Sequence, residues 1–99
     1  MTSAKTVKLA KFDGPRVHVA TFDTSVKEVF AKDSTVVTPD GKKAGAEGIV
    51  KLEADEQNKK NVKVSFKPET PNGLYTVTLK VLFENNTAFS FIVNYQLEN

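Results

Sequence analysis

Apolar residues fall at every second position from Tyr75 to Phe83: Tyr75, Val77, Leu79, Val81 and Phe83. Thr76, Thr78 and Lys80 lie between them. A β-strand points successive side chains to opposite faces, so this alternation predicts a strand with one face on a core and the other in water. Glu84, Asn85 and Asn86 interrupt the pattern with turn-forming residues. It resumes with Phe89, Phe91, Val93 and Tyr95 on one face and Ala88, Ser90, Ile92 and Asn94 on the other. Two in-phase runs around a short polar turn predict an antiparallel hairpin over residues 74–95. The Thr, Val, Tyr and Phe content of both runs suits strands.

The rest of the chain carries shorter runs of the same kind. Val7 and Leu9 share a face in a first strand over residues 6–12, which Asp13-Gly14-Pro15 ends. Residues 16–22 form a second strand of mixed phase. Val17 and Val19 share one face, and His18, Ala20 and Phe22 the other; a bulge would turn Val17, Val19 and Phe22 all inward. Residues 23–33 fit two descriptions. Ser25 followed by Glu28 matches a capping box and Val26, Val29 and Phe30 have helical spacing, but a short irregular strand also fits. Thr35-Val36-Val37 is a short strand, and Pro39-Asp40-Gly41-Lys42 a strong turn signal. Residues 45–48 read as loose chain. Val50, Leu52 and Ala54 alternate, a polar loop covers residues 55–60, and Val62, Val64 and Phe66 alternate again. About seven antiparallel strands with frequent turns predict an all-β, Ig-like sandwich with Greek-key connections.

Composition narrows the functions open to such a sandwich. Ninety-nine residues suit one domain over 1–99, and 39% apolar content suits a folded core. A core of this size leaves little room for a deep enclosed pocket. No apolar run reaches the length of a membrane helix, so no membrane insertion is expected. Fourteen basic and twelve acidic residues are interspersed, giving +2 overall. Only Lys42-Lys43 and Lys59-Lys60 are adjacent basic pairs, and no basic stripe with exposed aromatics marks a nucleic-acid site. Without cysteine there is no disulfide, thiolate metal site or cysteine nucleophile. The opening Met-Thr-Ser-Ala-Lys lacks the apolar core of a signal peptide. The module-like pattern suggests a piece of a longer chain carrying an added Met.

The order of motifs resembles bacterial Ig-like domains of surface and S-layer proteins. The resemblance lies in Val62-Lys63-Val64-Ser65-Phe66, Pro71-Asn72-Gly73-Leu74-Tyr75-Thr76-Val77 and Phe89-Ser90-Phe91-Ile92-Val93, with Val17 to Phe22 and Pro39-Asp40-Gly41-Lys42 earlier. It implies a tyrosine corner at Tyr75, whose hydroxyl would bond the backbone of the preceding turn. The bland alternative is an apolar strand residue. The chain is also similar to the CopC-like copper-resistance sandwich, which implies copper held by an amino-terminal His and His- or Met-rich loops. Here there is one His and one Met, and Glu84-Asn85-Asn86-Thr87 lacks that family's His-bearing insertion. The fold carries over; the metal site does not.

Few residues suggest chemistry. His18 is a copper candidate, but a copper or zinc site needs several nitrogen or sulfur ligands, and a lone strand His is more simply structural. Asp55, Glu56, Asn58 and Asn61 offer oxygen donors for calcium in one loop, opposed by Lys59 and Lys60 and matching no EF-hand spacing. No catalytic triad or tuned carboxylate pair is recoverable, so no enzyme and no cofactor are expected. The residues expected to matter are architectural: Tyr75 at the corner, with Val77, Leu79, Phe89 and Phe91 in the core. The expected role is a structural or adhesive module, monomeric in isolation and extracellular or at the cell surface. Its partners would be neighbouring domains or another protein, reached through loops or strand edges. The alternatives are a periplasmic CopC-like carrier without the usual ligands and a phage or virion structural module.

Overall fold

The structure, a computed structural model, describes residues 5–99. Among the described residues nine strands follow one another: β1 (Lys5–Ala10), β2 (Val17–Thr21), β3 (Val26–Val29), β4 (Thr35–Val37), β5 (Lys43–Gly45), β6 (Val50–Ala54), β7 (Asn61–Phe66), β8 (Gly73–Phe83) and β9 (Ala88–Glu98). They form two sheets packed as a sandwich. One runs β1-β9-β8-β4-β5 with β3 also on β8; the other runs β2-β7-β6. The chain changes sheet after β1, β2, β5 and β7, so each layer is assembled from distant segments. β8 holds the larger sheet together. Its eleven residues, at about 3.3 Å each, nearly span the 38 Å long axis.

The hairpin forms in the expected phase. Tyr75 faces Tyr95, Val77 faces Val93, Leu79 faces Phe91 and Val81 faces Phe89. Cross-strand partners share a face, and this face meets Val50, Val62, Val64 and Phe66 of the smaller sheet. Val77 and Leu79 are fully buried and Phe91 is half-buried against the core. Phe89 is not core: 52% of it is exposed. It lies on the inward face, but at the hairpin end of β9, beside the stretch that β1 does not reach.

Three further expectations change, and the open choice over residues 23–33 falls to the irregular strand. β1 runs parallel to β9, so the strands are not all antiparallel. β2 has no bulge. Its regular register sets His18 opposite Val64 and Ala20 opposite Val62, both fully buried, so the His18 face turns inward and leaves Val19 exposed. Residues 23–33 form no helix but the short strand β3, with an irregular register between Val26 and Glu28, then a 3-10 turn over Ala31–Asp33. Residues 45–48 are not loose: Gly45 pairs with Thr35 of β4, and Ala46–Gly48 form a 3-10 turn.

The break between β3 and β4 has a local cause. Both pair with the same side of β8, at Val81–Phe83 and Thr76–Thr78 respectively. Lys80 lies between these stretches, and its ladder bonds are replaced. Phe30 N–H donates to the Lys80 carbonyl at 2.8 Å, and Lys80 N–H donates to the buried Ser34 hydroxyl at 3.1 Å. Ser34 in turn donates to the Phe30 carbonyl at 2.8 Å. A buried backbone polar group must find a partner, and Ser34 provides one where two strands meet end to end.

Candidate functional site

His18 and Tyr95 tie the two layers together. β2 aims the imidazole inward, where Nδ1 is hydrogen-bonded at 2.7 Å to the Tyr95 hydroxyl. The two rings meet edge to face with centroids 5.3 Å apart. Tyr95 is fully buried, and that burial pushes its phenol well above the usual tyrosine range because the anion would lose its hydration. Both polar atoms face each other inside the sandwich, and among the described residues no group of three or more His, Cys, Asp or Glu gathers to hold a metal.

At the same end, Arg16 and Tyr75 fix the loop between β7 and β8. Arg16 is only 5% exposed. Its Nη2 donates to the Thr70 carbonyl at 2.7 Å and its Nη1 to Asn72 Oδ1 at 2.9 Å. The Tyr75 hydroxyl donates to the Pro71 carbonyl at 2.7 Å, four residues upstream, which is the tyrosine-corner geometry. Burial raises the Tyr75 phenol, the Arg16 charge opposes that and Asp40 adds to it. Gly73 follows with φ of +144°, a conformation that suits glycine, and a Cβ there would stand 2.4 Å from the Pro39 ring. The β4–β5 turn therefore seats on the β7–β8 loop. Between them lies an open cleft of about 670 Å³ with Ile49, Pro71 and Tyr75 among its walls and Lys42, Lys43 and Lys67 on its rim.

The acidic loop has other occupations. Asp55 Oδ1 accepts from Gln57 N–H at 2.9 Å, and Asn58 Oδ1 from Lys60 N–H at 3.1 Å. These are Asx turns, in which a side chain caps its own bend. Asn61 Oδ1 accepts from the Thr21 hydroxyl at 2.8 Å, and Glu56 is exposed. Of the four calcium candidates, Asp55 and Asn58 cap their own turns, and Asn61 bonds across to Thr21 of β2.

The remaining feature is the edge of β9. β8 pairs with β9 from Ala88 onward, but β1 joins its other side only from Val93. Residues 88–92 thus have a flank that no described strand covers. Phe89 and Ile92, 52% and 54% exposed, border it on opposite faces.

Sequence reasoning reached His18 and Tyr75 but missed Arg16, Tyr95 as a polar partner, and the β9 edge. An Arg before a strand reads as surface, and its partners lie 54 and 56 residues away. The edge had a visible signal: no charged residue occurs from Asn85 to Leu97.

No protein-family model matches the chain, and no curated protein sequence matches it. Among solved structures, CopC from Methylosinus trichosporium OB3b superposes with a TM-score of 0.62 over 98% of this chain and 85% of that one. Sequence identity is 15%, so the likeness is one of fold.

Proposed function

We propose that this chain is a non-catalytic structural or adhesive module of an extracellular or cell-surface assembly, acting through contacts with other protein segments and needing no cofactor. The observation that carries the reading is the inward His18, whose Nδ1 meets the buried Tyr95 hydroxyl at 2.7 Å. The residue best suited to metal or proton chemistry instead joins the two sheets. Arg16 and Tyr75 support the same reading, since both fasten a loop. Polar groups used this way give a sandwich whose ends hold their shape, which a spacer or adhesive unit requires.

Titration with copper(II) tests it. The expected result is no visible d–d band at one equivalent and no change in melting temperature. A ligand that binds only the folded state must raise that temperature. A stoichiometric band lost in His18→Ala would replace this reading with a second one, a CopC-like carrier, which the shared fold favours. Calcium is tested the same way: the melting temperature should not move when calcium is added or chelated.

A further inference from the structure

The cleft between the β4–β5 turn and the β7–β8 loop has the makeup of a small-molecule site. At about 670 Å³ it lies within the usual range of ligand clefts, roughly 300–1,000 Å³. Its walls are mostly apolar, with Pro39, Ala44, Ile49, Pro71 and Tyr75 among them. They are also held in place. Ile49 packs on the core, and the Tyr75 hydroxyl is taken by the Pro71 carbonyl. Arg16 ties down Thr70 and Asn72, and Thr38 N–H donates to the Lys42 carbonyl at 2.9 Å to close the β4–β5 turn. A ligand entering a preformed cleft does not have to order its walls. The chain enters β1 beside Val93, three strands from β4 and four residues short of Leu97, the partner of Gly73. At about 4.8 Å per strand and 3.3 Å per residue, that is roughly 20 Å. Four extended residues span roughly 14 Å, so the corner where Pro39 meets Gly73 lies beyond such a span from Lys5.

The charges around the cleft are unbalanced. Lys42, Lys43 and Lys67 stand on the rim with Asp40 and Glu69. Asp40 is already engaged: the Thr38 hydroxyl donates to its carboxylate, and Lys42 Nζ lies 4.0 Å from it. Lys43 and Lys67 make no ion pair among the described residues, and Glu69 alone opposes them. Behind the wall lies Arg16, 5% exposed and bonded to neutral oxygens. A buried cation is ordinarily paired with an anion, and this one is not. Its charge reaches the cleft, where it opposes the rise of the Tyr75 phenol. Four cations, Arg16 included, thus stand against two carboxylates around an apolar space. The field inside favours a negative guest.

We propose that this cleft binds a small organic anion, an aryl or medium-chain alkyl carboxylate. Its apolar body lies against Ile49, Pro71 and Tyr75, and its carboxylate turns to the rim at Lys43 and Lys67. A neutral molecule of the same shape gains the walls alone, and an amine meets the wrong charge. A compact dianion such as phosphate gains little from apolar walls, and the one arginine of the chain spends donors on Thr70 and Asn72. The proposal adds a small-molecule site to the module reading and does not depend on it.

Amide NMR titration near neutral pH and at low salt tests it with three probes of one shape: hydrocinnamate, hydrocinnamyl alcohol and phenylpropylamine. Hydrocinnamate should give saturable shifts centred on Lys43, Ala44, Ile49, Thr70 and Tyr75. The amine should bind at least about tenfold more weakly, the scale of one or two exposed charge contacts. Lys43→Glu combined with Lys67→Glu should weaken hydrocinnamate about tenfold and leave the alcohol unchanged. Both lysines are exposed, and unchanged peaks elsewhere show that the fold is kept. No saturable shift at millimolar hydrocinnamate overturns the inference. So do equal affinities for the three probes, shifts centred away from the cleft, or a double variant that binds hydrocinnamate as the parent does.

Discussion

At one end of the sandwich Phe66, Tyr75 and Tyr95 meet edge to face, with ring centroids 5.2 Å and 5.7 Å apart, and all three are nearly or fully buried. Their hydroxyls reach His18 and the Pro71 carbonyl, and Arg16 closes the loop above them. At the other end of β8, Phe22, Phe83, Phe89 and Phe91 form a looser cluster. Phe83 is buried, Phe22 and Phe91 are half-buried, and Phe89 is half in water. A phenol combines apolar area with a directed bond, so the tyrosine end is held in one arrangement. Phenylalanine brings area without direction and tolerates incomplete cover. The stapled end is thus the anchor of the fold, and the phenylalanine end is the one left partly in water.

Core truncations should break the symmetry most visibly. Leu79→Ala, in the fully buried middle of β8, should cost about 2–5 kcal/mol through lost burial and the cavity left behind. Phe91→Ala, at the looser end, should cost less, because a half-buried site gives up less apolar area and its surroundings can relax into water. Denaturant unfolding with matched slopes measures both. Equal losses would mean that Phe91 is packed as tightly as the buried middle of β8, and the phenylalanine end would not be the looser one.

Arg16→Met comes next. It keeps much of the buried volume but removes both donors, leaving the Thr70 carbonyl and Asn72 Oδ1 without them. A loss of about 2 kcal/mol is expected, the usual scale for hydrogen bonds to a charged group. No carboxylate pairs with Arg16 among the described ion pairs. Replacing it therefore strands no buried negative charge, which keeps the loss below what breaking a buried ion pair costs. A neutral result would show that the loop is held without the clamp.

How much of this was legible in the chain differs by region. The β8–β9 hairpin was, because alternation over ten or so residues leaves one phase and the turn residues stand out. β2 was not, because both of its faces read as apolar and the partner that draws His18 inward lies 77 residues away. Phe89 shows a related limit: alternation gives the face a side chain takes, but not whether the opposite layer extends over it. In residues 23–33 the local spacing suits a helix as well as a strand, and β8, with an unfilled side at Val81–Phe83, decides for the strand. For the calcium candidates, composition showed the oxygen donors but not the bonds with which Asp55 and Asn58 close their own turns.

Alkaline titration sharpens the comparison through the phenols. The folded-state pKa of Tyr95 is raised by burial, so its contribution is complete below its unfolded value of about 10 and is lost as pH rises through the folded one. Above pH 10 the unfolded chain ionises while the folded core resists, and stability should fall by up to about 1.4 kcal/mol per pH unit for this group. Tyr95→Phe should flatten that limb of a stability–pH curve. Phe91→Leu, at the other end, should leave it unchanged. A limb untouched by Tyr95→Phe would place the alkaline sensitivity elsewhere.

The smallest effect is expected at Phe89. Half of its surface is already in water, and what it touches are the rings of Phe83 and Phe91, at 5.9 Å and 6.2 Å between centroids. Full burial of a Phe is worth about 1.5–3 kcal/mol, so half of the upper figure, about 1.5 kcal/mol, is the most that Phe89→Ser should cost. Such a side chain is expensive to keep for stability alone, since exposed aromatics on an uncharged edge invite association. A small loss of stability would leave Phe89 outside the core. A loss matching that of Leu79→Ala would return it to the core and make the two ends of the sandwich alike.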